Sequence, residues 1–184
     1  GRAFAALLGC PRLLSIDATR SDGFVLSDGV LPAVRGAATP RDVFPARKAT
    51  ALRWSACTRL VTSSLEACLA RSMPALKVLD VSHTHLDADR VLRAVAAFCP
   101  NLEELNLARC AEDTCSDEGV AALAKSRCAA GLRTLHLDGA DDLTDESLTL
   151  LSFACKSLEA LYVAECRRLT GEGITNAARA LPVR

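Results

Sequence analysis

Residues Leu102–Cys110 read LEELNLARC, and residues Leu158–Cys166 read LEALYVAEC, so both follow the pattern L-x-x-L-x-L-x-x-C. Weaker copies begin at Leu13 (LLSIDATRS), Ala49 (ATALRWSAC), Leu76 (LKVLDVSHT) and Leu132 (LRTLHLDGA). The six starts are separated by 36, 27, 26, 30 and 26 residues, which a 26-residue unit with two insertions accounts for. Such a period marks stacked repeats, because one short unit cannot bury its apolar face alone.

Each copy continues with a second phrase, in which an apolar residue precedes a hydroxyl or acidic residue and then a helical pattern. These phrases are LSDGVLPAV from Leu26, LDADRVLRAV from Leu86, CSDEGVAAL from Cys115, LTDESLTLL from Leu143 and LTGEGITNA from Leu169. Ser27, Asp87, Ser116, Thr144 and Thr170 occupy the expected helix N-caps, where a side-chain oxygen accepts from free first-turn amides. Asp117, Glu118, Asp145 and Glu146 place negative charge beside the positive end of the helix dipole, and GEG at Gly171–Gly173 reads as a helix start. Leu148, Leu151 and Cys155 are spaced for one buried helical stripe. In Glu104-Leu105-Asn106-Leu107-Ala108, alternation sends Leu105 and Leu107 to one face and Glu104, Asn106 and Ala108 to the other. The expected fold is therefore an α/β solenoid: an open arc or horseshoe of about six units, parallel strands on the concave side and helices on the convex side.

Composition agrees with a folded interior. The chain has 184 residues, 22 basic and 22 acidic side chains, half its residues apolar and 4 % aromatic, with a mean hydropathy of +0.19. That excludes a disordered chain, and the balanced charge gives no electrostatic basis for nucleic acid or anionic membrane. No apolar stretch approaches the roughly 20 residues that span a bilayer, so membrane insertion is not expected. Charge divides along the chain, at +5 over residues 1–73 and −5 over residues 74–184. The nine cysteines form no C-x-x-C pair, which removes the strongest zinc and redox spacings. They read as buried free thiols in an intracellular, reducing compartment, cytoplasm or nucleus.

With those residues in view, the chain resembles the cysteine-containing leucine-rich repeats of F-box/leucine-rich-repeat proteins and of related proteins lacking the F-box. Cys99-Pro100-Asn101-Leu102 onward is similar to the family unit C-P-x-L-x-x-L-x-L-x-x-C-x-x-L-T-D, and Cys10-Pro11-Arg12-Leu13 repeats its opening. The resemblance implies a leucine-rich-repeat solenoid in which Cys57, Cys110 and Cys166 bond neighbouring backbone. Ser21, Thr84 and Ala140 replace that cysteine in the other copies, and Ala18, Ala49 and Trp54 replace ladder leucines. No F-box is recognisable, since Leu31-Pro32 falls inside a repeat helix. Residues 1–184 are expected to form a single domain, a piece of a longer solenoid, with residues 36–48 (GAATPRDVFPARK) as a loop insertion. Residues 2–10 read as the end of a repeat helix and residues 180–183 as the approach to another strand. Neither end shows a polar cap, so the expectation is either a piece of a longer protein or partner contacts covering the ends.

Chemistry is sparse. His83-x-His85 with Asp80 and Asp87 is the most metal-like cluster but reads as a polar loop, and Cys110 and Cys115 beside Glu112 and Asp113 lack a second ligand pair. His136 and Asp138 lack a nucleophile motif. No cofactor, metal or catalytic site is expected. The outward strand positions form the most useful array: Asp17, Arg53, Asp80, Asn106, His136 and Tyr162 in one column, flanked by Ser82, Glu104, Thr134 and Asp138. Varied polar residues with an occasional aromatic on a rigid sheet suit protein binding. The expected function is non-enzymatic recognition of a protein partner, which the resemblance makes the substrate-recognition part of a ubiquitin-ligase adaptor. The alternative is a structural or assembly subunit of a large complex.

Overall fold

Every copy of the leucine phrase builds one three-residue strand. The computed structural model describes residues 15–20, 49–111 and 114–181. Cys10, Ser21, Ser27, Glu112, Asp113, the loop at residues 36–48, and the terminal segments 2–10 and 182–184 lie outside them. The strands are β1 (Ser15–Asp17), β2 (Ala51–Arg53), β3 (Val78–Asp80), β4 (Glu104–Asn106), β5 (Thr134–His136) and β6 (Ala160–Tyr162), in one sheet in sequence order. All pairings are parallel and in one register: Ile16 pairs with Leu52, Leu52 with Leu79, Leu79 with Leu105, Leu105 with Leu135, and Leu135 with Leu161.

Parallel neighbours need a crossover, which α1 (Thr62–Ser72), α2 (Ala88–Phe98), α3 (Asp117–Ala124) and α4 (Asp145–Ala154) supply between β2 and β6. A final helix, α5 (Gly171–Ala180), follows β6, and a short 3-10 turn, Ala129–Gly131, leads into β5. Consecutive helices pack on one another, giving a solenoid-like α/β layering. The central strand residues Ile16, Leu52, Leu79, Leu105 and Leu135 are all 5 % exposed or less. They meet buried Leu65, Leu92, Val95 and Leu151 from the helices, and each such leucine contributes about 1.5–3 kcal/mol.

The helix starts match the sequence pattern. Asp87, Ser116, Thr144 and Thr170 are N-caps whose side chains accept from Arg90, Glu118, Glu146 and Gly173 amides. After each strand the chain turns through a left-handed residue: Arg20, Ala56, His83, Arg109 and Glu165 have φ of 52–60°, and Gly139 has 78°. For a residue with a Cβ this costs about 1–2 kcal/mol. The turn persists because these amides continue the ladder laterally: Arg20, Ala56, His83, Arg109 and Gly139 each donate to a carbonyl of the next unit at 2.8 Å. The turn also corrects the expected alternation. Strands stop at the third residue, so Ala108 and Ser82, placed outward by a period of two, are only 8 % and 4 % exposed.

Candidate functional site

The face of the sheet turned away from the helices carries the Asp17, Arg53, Asp80, Asn106, His136 and Tyr162 column, one residue per strand and in direct register. Several of its polar members already have structural work. Asp17 Oδ1 accepts from the Thr19 amide at 3.0 Å, Asp80 Oδ1 from Ser82 at 3.0 Å, and Asn106 Oδ1 from Ala108 at 3.0 Å. These are Asx turns, in which a short side chain ties down the amide two residues on. The Thr19 hydrogen bonds hold the Asp17 carboxyl below the usual range. Ser82 is a correction to the expected binding set: its hydroxyl donates to Asp80 at 2.7 Å and meets Ser55 at 2.8 Å, out of reach of a partner. Asp138 lies beyond the strand and accepts from the Ala164 amide at 2.8 Å.

The remainder forms one contiguous patch. Glu104 pairs across the register with Thr134, and His136 with Tyr162; their side chains make no hydrogen bond among the described residues. The His136 and Tyr162 rings stack in parallel with centroids 4.0 Å apart. Tyr162 is 48 % exposed, and His136 Nδ1 stands 3.9 Å from Asp138 Oδ2. The patch is thus a flat aromatic shelf beside a carboxylate, held on three rigid strands. Arg53 lies apart from it on β2, in line with Asp17.

At the strand-to-helix rim, an open cleft of about 1000 Å³ runs past His83, His85, Arg109, Asp141, Glu165 and Arg167. Arg109 reaches over Gly139 to both Glu165 carboxylate oxygens at 2.7 Å, and Arg167 pairs with Asp141 at 3.3 Å. The His83-x-His85 cluster does not converge: among the described residues no three His, Cys, Asp or Glu side chains are grouped to hold a metal. The cysteine column does what the resemblance implied. Cys57 Sγ donates to the Ala18 carbonyl at 2.9 Å, Cys110 to Val81 at 3.5 Å and Cys166 to Leu137 at 3.3 Å, each reaching the preceding unit. The eight described cysteines form no disulfide.

The helix starts hold a feature that sequence reading missed. Asp89 accepts the Ser116 amide at 2.9 Å and its hydroxyl at 2.6 Å. Asp117 does the same for Thr144 at 3.0 and 2.6 Å, and Asp145 for Thr170 at 2.9 and 2.6 Å. Each acid therefore clamps the N-cap of the next unit. Burial pushes the Asp117 carboxyl up, but hydrogen bonds from Ser147 and Thr144 outweigh it and leave it below its ordinary value. A Cβ on Gly119 would lie 2.1 Å from Asp89 Oδ1, and one on Gly173 would lie 2.1 Å from Asp145. Glycine two residues beyond the helix start was the legible signal for this close approach.

Comparison with known proteins follows the same lines. No family model matches the chain. It is 29 % identical over 113 residues to an F-box/LRR-repeat MAX2 homolog of Oryza sativa subsp. japonica, covering 58 % of this chain and 15 % of that protein. It is 33 % identical over 114 residues to Antagonist of mitotic exit network protein 1 of Candida glabrata, covering 61 % of this chain and 22 % of that protein. The matched region is thus a small part of either relative. Among solved structures, a chain in the crystal structure of the Rad7 and Elc1 complex in yeast matches with a TM-score of 0.58 at 22 % identity, over 74 % of this chain and 34 % of that one. At that identity the likeness is one of fold. Relatives, fold and the thiols bonded to the preceding unit agree with the resemblance to cysteine-containing leucine-rich repeats.

Proposed function

We propose that the chain is a non-enzymatic protein-recognition module, an arc of about six repeats that reads its partner with the concave sheet face. The observation that carries this is the Glu104, Thr134, His136 and Tyr162 patch: a half-exposed aromatic stack and a carboxylate, uncommitted to the fold and mounted on paired strands. Central aromatic anchors of this kind dominate interface energies. The name of the rice relative, an F-box/LRR-repeat protein, supports use as the substrate-recognition part of a ubiquitin-ligase adaptor. Thiols outside disulfides fit a reducing compartment.

Affinity purification of the full-length protein, with and without the double change His136→Ala/Tyr162→Ala, tests the reading. Partner recovery should fall by at least about tenfold, equivalent to ~1.4 kcal/mol, with little change in thermal midpoint because both side chains stand on the open face. Undiminished recovery would remove the concave face from the function.

A further inference from the structure

The His136 and Tyr162 rings are parallel with centroids 4.0 Å apart, although they stand on neighbouring strands spaced about 4.8 Å apart. The stack therefore runs across the strands, and each ring plane runs along its own strand. Tyr162 fills one side of the His136 ring. The other side faces β4, two strands inside β6. The residue in register there is Asn106, a short side chain whose Oδ1 is held by the Ala108 amide at 3.0 Å. Beyond it, on β3, stands Asp80. His136 and Asp80 are thus two strand spacings apart, about 10 Å, with Asn106 low between them.

The charge around this slot has one sign. Glu104, two residues before Asn106 on β4, is half-buried and makes no hydrogen bond or ion pair among the described residues. Asp80 uses Oδ1 alone, on the amide and hydroxyl of Ser82. Asp138 takes the Ala164 amide on Oδ1, while its Oδ2 lies 3.9 Å from His136 Nδ1. The nearby cations are engaged or displaced. Lys77 and Arg133, at the strand starts, pair with Glu103 at 2.7 Å and Glu159 at 3.1 Å. Arg53 stands on β2, between Asp17 and Asp80 in the register.

We infer that this part of the concave face takes an arginine side chain of a protein partner, its guanidinium stacked on the inner side of His136 above Asn106 and its N–H groups directed to Glu104. The inference rests on the recognition reading above and gives the partner its chemistry, a basic segment. A guanidinium is planar and stacks on aromatic rings, whereas an ammonium is a compact point charge. Its donors lie in its own plane and suit a carboxylate in that plane. A plane parallel to His136 and placed over β4 runs along that strand, which is where Glu104 stands. Asp80 and Asp138 add attraction that steers a basic segment and repels an acidic one. None of these groups lies on the outer edge of β6.

The probe is the acetylated, amidated peptide Gly-Ser-Arg-Ser-Gly, titrated into the 184-residue chain and followed by NMR at the His136 ring and the Asn106 amide. It should shift both saturably. Citrulline in place of arginine keeps the planar shape and removes the charge, and lysine keeps the charge and removes the plane. The citrulline peptide should bind about tenfold more weakly or worse, and the lysine peptide about threefold more weakly or worse. Glu104→Gln, which preserves size, should weaken the arginine peptide about fivefold or more at an unchanged thermal midpoint. Glu172→Gln, an equal charge change at an exposed site on α5, should leave it unaffected. Citrulline or lysine binding as well as arginine, no shift at His136, or indifference to Glu104→Gln overturns the proposal. Loss of partner recovery on His136→Ala/Tyr162→Ala without arginine-peptide binding would sink this inference and keep the recognition face. Arginine-peptide binding with undiminished partner recovery would do the reverse.

Discussion

Gly119→Ala should be among the costliest methyl additions in the molecule. Glycine to alanine inside a helix ordinarily stabilises by about 1 kcal/mol, and Gly119 lies in α3. Here the new Cβ would fall 2.1 Å from Asp89 Oδ1 and 2.9 Å from Leu92 Cδ1, closer than atoms approach. The Leu92 methyl can rotate aside, but the carboxylate must leave, and with it the bonds to the Ser116 amide and hydroxyl at 2.9 and 2.6 Å. Hydrogen bonds to a charged acceptor contribute about 1.5–3 kcal/mol each. The Asp89 side chain is 17 % exposed, so water recovers part of that loss. The expected net destabilisation is about 2–4 kcal/mol after subtracting the helix gain. Urea denaturation followed by circular dichroism reads it as a lower midpoint at constant slope. Gly171→Ala is the control, since nothing lies within 4 Å of its Cβ, and it should be neutral or stabilising. In an Asp89→Ala background the Gly119→Ala cost should largely vanish. A Gly119→Ala protein as stable as its parent, or an undiminished penalty without Asp89, would refute the clamp.

Two further outcomes follow from the turns and the thiols. Gly139→Ala should cost about 1–2 kcal/mol in the same urea assay through its left-handed backbone alone, because φ is 78° and the nearest atom to the new Cβ, Arg109 Cγ, is at an ordinary 3.5 Å; an unchanged midpoint would contradict that conformation. Burial pushes the Cys68 and Cys99 thiols up to about 12 and Cys155 up to about 11. Their folded values lie above the unfolded value of about 8.5, so their contribution to stability is complete below that pH and is lost as pH rises through the folded values. Denaturation midpoints should fall progressively above about pH 8.5. At neutral pH these buried thiols should label slowly, whereas the denatured chain should yield all nine thiols without reductant.

The leucine rows and helix caps were legible because each depends on contacts repeated every unit. Leu79, Leu105 and Leu135 recur at one step of the phrase, and that step is the sheet register. The outward strand column was only partly legible. Asp17, Asp80 and Asn106 look like free polar groups in a string of letters, but a short carboxylate or amide is within reach of its own backbone two residues on. Ser82 was misplaced because alternation was carried past Asp80, although the left-handed residue His83 ends the pleat there. Asp117 and Asp145 were read as dipole partners, a one-unit account of residues whose main contacts lie in the next unit. No local pattern reports a contact 27 residues away; only the recurrence of a small residue opposite the acid does.

The acid clamp also has a direction. In all three instances the carboxylate belongs to the earlier unit and the helix start to the later one. A ribosome delivers the chain in that order, and nascent proteins fold from the N-terminal side first. As each new helix emerges, the carboxylate that receives its first amide is already in place on the preceding unit. Growth of the solenoid on the ribosome would then resemble templated elongation, each completed unit acting as primer for the next, and an error at one clamp would be felt downstream before it is felt upstream.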